Sequence, residues 1–497
     1  MHTALLLEMA AEALADQPAM GPLHAPTSYA ALWAQARAAA VGLARRPRDH
    51  VVHIGVNSPA VPVAIFASGL LGRPFAPLNY RLADADLRRL LARTAPATAV
   101  VDDDMVERVA GVPGVDIMPR SAFLAEAEAG AGLEHDLPEA ASDIAVLLFT
   151  SGTTGEPKAA VLRHRHLAAY IISTVEFASA QDGEAALISV PPYHIAGVSA
   201  VLTGVYAGRR LVHLETFTPE AWVEAAVAEK ITHAMVVPTM LARILEVLEA
   251  RGESLPRLHS LSYGGGRMPL SVIERALERL PRVNFVNAYG LTETSSTISV
   301  LRPDDHRAAR DSADPAVRRR LGSVGRPLPG LELEIRGPAG EAVPVGQTGE
   351  VWVRGDQISG EYLGRKLIRD DGWFPTNDSG WLDEAGYLFI EGRLDDVIVR
   401  GGENISPGEI EDVLRLHPAV SDVAVLGVPD DDWGERVAAV VVAKAPVEAE
   451  ALRAWVRERL RSTKAPAEVL FHAELPYNET GKLLRRVLKA RIAGAAG

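Results

Sequence analysis

Residues 144–161 read IAVLLFTSGTTGEPKAAV, and the organisation of the whole chain can be worked outward from them. Ile144 to Phe149 is an unbroken apolar run of strand length and predicts a buried strand. It stops at Thr150-Ser151-Gly152-Thr153-Thr154-Gly155-Glu156-Pro157-Lys158, after which Ala159 to Leu162 predicts a second short strand. Glycines let the backbone take positive φ and bring amide N–H groups close to a ligand. Such amides beside several hydroxyls and one ammonium suit a polyphosphate. A Walker P-loop is excluded, because its lysine follows a glycine and opens a helix, whereas Lys158 follows Glu156-Pro157. An ordinary Ser/Thr/Gly turn is the competing reading, but such turns rarely run this long directly off a buried strand.

At 497 residues the chain predicts two or more domains. Apolar content of 48% and charged content of 23% are those of a globular protein. A net charge of −13 argues against nucleic acid as a partner, since a phosphate backbone demands a basic field. No apolar run reaches membrane-spanning length, so no membrane insertion is expected. Met1 to Pro18 lacks the basic start and cleavage site of a signal peptide, and a cytoplasmic enzyme is the expectation. The absence of cysteine removes disulfides, thiolate nucleophiles and thiolate metal sites together.

Residues 1–300 alternate strand and helix signals, which predicts an α/β fold with parallel sheets covered by helices. Strands at Val51 to Gly55, Leu187 to Val190, Ala234 to Val237, Ser260 to Ser262 and Asn284 to Val286 end in small-residue loops. Ligands sit at such carboxyl edges in open α/β sheets. The charged stretch Asp304 to Arg320 reads as a mobile surface excursion. From Gly330 short strands predict an antiparallel β subdomain, and a boundary falls at Gly392-Arg393-Leu394-Asp395-Asp396. Beyond it, Ser406-Pro407-Gly408-Glu409 is a helix start, opening a small α+β unit. Two domains follow, 1–393 and 394–497.

The stretch at 150–158 resembles the phosphate-loop signature of adenylate-forming enzymes: acyl- and aryl-CoA synthetases, peptide-synthetase adenylation domains and beetle luciferases. Ala159 stands where they usually have glycine. Four further stretches match in family order: Asn287 to Thr294 (NAYGLTET), Gly372 to Gly392, the 392–404 boundary, and Tyr477 to Lys482 (YNETGK). The resemblance covers nearly the whole chain. It implies a large N-terminal domain of α/β sheets plus a β subdomain, followed by a small mobile C-terminal domain.

Residue by residue, the resemblance implies that Thr150, Ser151, Gly152, Thr153, Thr154, Gly155 and Lys158 hold the phosphates of ATP. Asn287, Ala288, Tyr289 and Gly290 would line the adenine, Tyr289 by stacking, with Gly265, Gly266 and Arg267 at the same site. Thr292 would reach the α-phosphate and Glu293 would ligate Mg²⁺, a hard cation suited to carboxylate and phosphate oxygens. Asp378 would accept both ribose hydroxyls, with Arg393 beside it. Here the family's usual Thr-Gly-Asp reads Thr376-Asn377-Asp378, and asparagine tolerates positive φ. Asp395 would be the hinge of the small domain. Arg400, Gly401 and Gly402 would line the coenzyme A tunnel, and Lys482 would bridge carboxylate and α-phosphate. His194 would gate an acyl pocket lined by Ile195, Val236, Val237, Gly264, Ala288 and Leu291.

The implied reaction is ATP-dependent: a carboxylic acid becomes an acyl-adenylate with release of pyrophosphate, and coenzyme A then takes the acyl group. A carrier-protein thiol is the alternative acceptor. The gate segment Tyr193-His194-Ile195-Ala196 contains no acid to bind an amino acid's ammonium. Small residues at Gly264 and Ala288 suggest room for a bulky aromatic or alicyclic monocarboxylate.

Overall fold

The structure is a computed structural model that describes residues 2–46, 48–131, 142–150, 157–430, 432–477 and 483–495. The apolar run at 144–149 forms strand Ile144–Thr150, which folds back antiparallel on strand Lys158–Arg163 with Thr150 opposite Lys158. Five of the expected phosphate ligands, Ser151, Gly152, Thr153, Thr154 and Gly155, lie outside the described residues, as does Lys482.

Four sheets organise the described residues. The hairpin belongs to an eight-stranded one, in which Phe75–Pro77, His50–Ile54, Ala97–Val101 and Val115–Pro119 run parallel. These strands are near-continuous runs of Val, Ile and Ala because helices cover both faces. A nine-stranded sheet carries parallel strands Arg210–His213, Ala185–Ile188, His233–Val236, Ser260–Gly264 and Asn284–Leu291. Residues from the two sheets and from helices Tyr29–Ala44, Ala60–Leu71 and Ile195–Ala207 share one core, including Val51, Phe66, Val201 and Leu211. The carboxyl ends of both sheets are thereby held beside each other.

Residues 304–320 are not the expected mobile excursion. They fold as helices Pro303–Asp311 and Pro315–Arg319. Asp305 accepts the Arg302 N–H at 3.0 Å, and the buried His306 and Ala309 anchor the first helix. A charged exterior concealed those two inward positions.

The β-rich texture after Gly330 becomes a four-stranded antiparallel sheet, Glu332–Arg336, Gly349–Arg354, Phe374–Leu382 and Leu388–Arg393. A single turn at Leu394–Asp396 then leads into the last sheet, built around the long pair Val420–Asp430 and Gly434–Ala443. Helices Pro407–Arg415 and Ala449–Arg457 cover one face of it, packing Ile410, Leu414, Leu452 and Val456 on Val423, Val425 and Val441. Leu488 of helix Arg485–Ala495 packs with Ala424 and Leu426 on the other. The molecule is thus mixed α/β, a large N-terminal domain followed by a smaller C-terminal one. Among the described residues no helix is long and apolar enough to cross a membrane.

Candidate active site

Strand Asn284–Leu291 runs past its expected end at Val286, because strand Ser296–Leu301 pairs with it antiparallel. Asn287, Ala288, Tyr289 and Gly290 are therefore strand rather than loop. The Asn287 side chain is engaged within the protein, donating from Nδ2 to the Ser323 carbonyl at 3.0 Å. The Tyr289 hydroxyl, two residues on, donates to Asp378 Oδ2 at 2.6 Å. Arg393 lies directly across the β subdomain from Asp378 and donates to its other oxygen, Oδ1, at 3.0 Å. The Asp378 side chain is only 6% exposed, so a buried carboxylate is fixed between a phenol and a guanidinium. Burial and that carboxylate hold the Tyr289 phenol well above its ordinary pKa, keeping it a donor. Asn377 does take the left-handed conformation, φ 60°, and the turn before Asp378 survives the loss of glycine.

Glu293 sits in the turn Thr292–Thr294, which packs against strand Lys158–Arg163 of the other large sheet. Its backbone carbonyl accepts the N–H groups of Ser359 and Gly360 at 3.0 and 2.8 Å. Its carboxylate accepts the Tyr362 hydroxyl, and the Lys158 ammonium stands 5.6 Å from the centre of that same ring. Glu293 and Lys158, 135 positions apart by number, are thus joined through one side chain. Gln357, 3% exposed, donates to the Thr294 and Thr297 carbonyls at 3.0 and 2.7 Å and holds the turn from behind. Neither Tyr362 nor Gln357 stands out in the sequence. The one available signal is that both lie in a short segment between strand and turn residues.

The acyl segment departs from expectation at Gly264. A Cβ there would collide with the Ala288 carbonyl oxygen across the strand pair. The glycine thus serves close strand pairing, and the place its side chain would take is filled by that carbonyl. Val236 is sealed in the second hydrophobic core and Ile195 packs against the first. Val237 flanks Gly265, 3.6 Å from the position a Cβ would take, and Gly265 itself has φ 75°. Leu291 packs on the small core of Ile298 and Ile358. His194 precedes helix Ile195–Ala207 with its ring 4.6 Å from Tyr193, which meets Tyr80 edge-on at 5.8 Å. A cavity of about 160 Å³ opens beside this aromatic run, between the ends of the two large sheets, lined by Tyr80, Arg81, Pro192, Glu215 and Arg243.

Arg267 is turned toward the C-terminal domain. It pairs with Asp412 of helix Pro407–Arg415 at 2.5 Å, and Gly408 leaves space for its guanidinium. Ser406 Oγ donates to the Glu391 carbonyl at 2.9 Å, a second contact between the domains. Asp395 accepts the Asn377 side-chain amide at 2.9 Å. In the hairpin of Arg400, Gly401 and Gly402, Arg400 donates to the Thr463 carbonyl at 2.8 Å and lies over Trp433, and both glycines are exposed.

These donors and acceptors fit a magnesium nucleotide. A buried, pinned carboxylate suits a diol, the Tyr289 ring offers a face, and Glu293 presents an oxygen next to the hairpin that would carry the phosphates. A family model described as AMP-binding enzyme matches residues 7–363, and one described as AMP-binding enzyme C-terminal domain matches residues 409–482. A feruloyl-CoA synthase from Amycolatopsis sp is 34% identical over 455 residues, covering 90% of this chain and 89% of that protein. A fatty acid–[acyl-carrier-protein] ligase from Streptomyces coeruleorubidus is 32% identical over 473 residues, covering 92% and 88%. The solved structure of o-succinylbenzoate coenzyme A synthetase from Bacillus subtilis, in complex with ATP and magnesium ion, superposes with a TM-score of 0.83 at 28% identity, covering 97% of this chain and 99% of that one. The chain belongs to the AMP-binding enzyme family and is an ATP- and Mg²⁺-dependent acid–thiol ligase, an AMP-forming acyl/aryl-CoA ligase.

Proposed function

We propose that the chain activates a bulky, apolar aromatic or alicyclic monocarboxylate, with ATP held by residues 1–393 and the second half-reaction enabled by rotation of residues 394–497. In the first step the substrate carboxylate attacks the α-phosphorus, the bond to the β-phosphate breaks, and pyrophosphate leaves. Asp378 and Arg393 hold the ribose, Tyr289 covers the adenine, and Thr150 to Lys158 receive the leaving phosphates. Magnesium bound at Glu293 supplies positive charge against the polyphosphate. Thr292 and Lys482 steady the α-phosphate, the lysine also drawing in the carboxylate, since two anions must meet there. In the second step the thiol sulfur attacks the acyl carbonyl, its proton is shed to solvent, and AMP departs. No covalent enzyme intermediate is required.

The observation that supports this reading most is the meeting of three separately coded groups in one cleft: the Tyr289–Asp378–Arg393 cluster, Glu293, and Lys158. The substrate class rests on narrower ground. Arg267, the cation nearest the acyl segment in sequence, is occupied by Asp412, which disfavours a second carboxylate on the acid. The small Ala288 and the apolar Val237 and Leu291 suit a ring, and a feruloyl-CoA synthase is among the relatives. The cavity lined by Tyr80 and Pro192 is the proposed approach of the thiol. Pyrophosphate release across aliphatic, aromatic and polycyclic acids tests the assignment, and the highest kcat/KM is expected for a ring-bearing acid. Acetate or octanoate as the best substrate would refute the substrate class.

A carrier-protein thiol is the second reading, favoured by the acyl-carrier-protein ligase among the relatives. Saturation of the second step by free coenzyme A separates the two.

A further inference from the structure

Tyr362 closes the two-residue strand Glu361–Tyr362, which adds to the edge of strand Lys158–Arg163 with Tyr362 opposite Ala160. The attachment is firm. The N–H of Leu363 donates to the Ala159 carbonyl at 2.8 Å, and Arg163 grips Glu361 with two bonds of 3.0 and 2.8 Å. From this edge the Tyr362 hydroxyl reaches Glu293 Oε1, while its ring face stands 5.6 Å from the Lys158 ammonium. The same segment holds the Glu293 backbone through Ser359 and Gly360, so main chain and side chain of Glu293 are fixed from one source. Burial, then the negative charge of Glu293, raise the Tyr362 pKa, so the hydroxyl stays a donor at neutral pH.

A carboxylate has two oxygens. With Oε1 engaged by a phenol, Oε2 is left in a defined direction, and an outer partner of this kind orients a metal-binding carboxylate. A tyrosine face also attracts an ammonium through its ring quadrupole. We propose that Tyr362 is a positioning residue that sets Glu293 for magnesium and Lys158 for the phosphates through a single side chain. This rests on the reading of Glu293 as the magnesium ligand.

The test is calorimetric titration of ATP into the full-length enzyme at stepped free Mg²⁺ and in EDTA, without the acid. Tyr362→Phe should raise the Mg²⁺ needed for half-maximal ATP binding by roughly 10–100-fold, while ATP affinity in EDTA and the thermal midpoint change little. Glu293→Gln should produce a shift of its own, and adding Tyr362→Phe to it should produce no more, because the two act through one contact. If Y362F leaves the Mg²⁺ dependence unchanged while E293Q shifts it, Tyr362 is structural and the inference fails alone. Additive shifts in the double variant overturn it equally. An unshifted E293Q removes the magnesium reading and the inference together. Should Y362F fail to fold, Tyr362→Trp keeps a ring face for Lys158, and the same shift in Mg²⁺ dependence is expected.

Discussion

Asp378 accepts a phenol on one oxygen and a guanidinium on the other, and it does so while almost wholly buried. A neutral amide in its place would keep the shape but lose the charge that strengthens bonds to hydroxyl donors. Asp378→Asn should therefore raise the Kd for ATP roughly 10–150-fold, as expected for losing ~1.5–3 kcal/mol of charge-assisted bonding, with little change in the KM for the acid. Isothermal calorimetry gives the first number and steady-state kinetics the second. Lys482 makes the opposite kind of prediction. Lys482→Ala should slow acyl-adenylate formation by at least ~10², the scale of one lost transition-state contact, and largely spare thioester formation from pre-made acyl-adenylate. Equal losses in both half-reactions would show that this lysine is not specific to the first.

At the scale of elements, strand pairing decides several residues that look like pocket chemistry when read in isolation. Gly264 is the clearest case: its missing side chain lies where the neighbouring Ala288 carbonyl stands. Gly264→Ala should cost thermal stability, on the order of 1–3 kcal/mol for overpacking, and should lower kcat/KM for large and small acids alike. A selective loss for large acids would return Gly264 to the acyl pocket. The strands, the antiparallel subdomain and the phosphate hairpin were legible because β-branched runs bounded by glycine and proline have few other ways to fold. Tyr289, Asp378, Arg393 and Glu293 were singled out by the family resemblance, and the fold joins the first three directly. Tyr362 was not legible, because its function depends on a two-residue strand pairing with a partner about two hundred positions earlier. Nor was the fold of 304–320, where two buried residues outweigh a charged exterior.

At the scale of the molecule, the two domains meet through Arg267 and Asp412, whose side chains are 42% and 33% exposed. An ion pair so exposed contributes ~0–1 kcal/mol, too little to lock the domains but enough to bias them. Arg267→Ala should leave the thermal midpoint nearly unchanged and alter the ratio of the two half-reaction rates by about fivefold at most, an effect that high salt should reproduce in the wild type. Acid acts on the fold as a whole. Burial lowers His53 and His306 from 6.5 to about 4, and His306 is held neutral between the Arg302 carbonyl and the Tyr263 hydroxyl, both at 2.8 Å. The unfolded chain therefore binds these protons first. Stability should be level above about pH 7 and fall as pH drops through 6.5 toward 4, by roughly 1.4 kcal/mol per pH unit for each such histidine. Melts at stepped pH check the window, and a midpoint insensitive to pH down to 4.5 would contradict it.

Asn377 replaces the usual glycine of this turn, and its amide is hydrogen-bonded to Asp395, the proposed pivot. The substitution behaves like a detent on a swivel. A swing of the small domain has to lift the amide off the carboxylate before it can start and can drop back onto it at the end. Asn377→Gly would remove the catch while easing the φ of 60°, giving a looser joint on a more relaxed turn. Dwell times in each orientation, followed by single-molecule fluorescence between labels on the two domains, should shorten in that variant even where the balance between orientations stays put. A ligase that must hold one posture for each half of its cycle would then be expected to lose coordination between the halves, releasing more acyl-adenylate per thioester made.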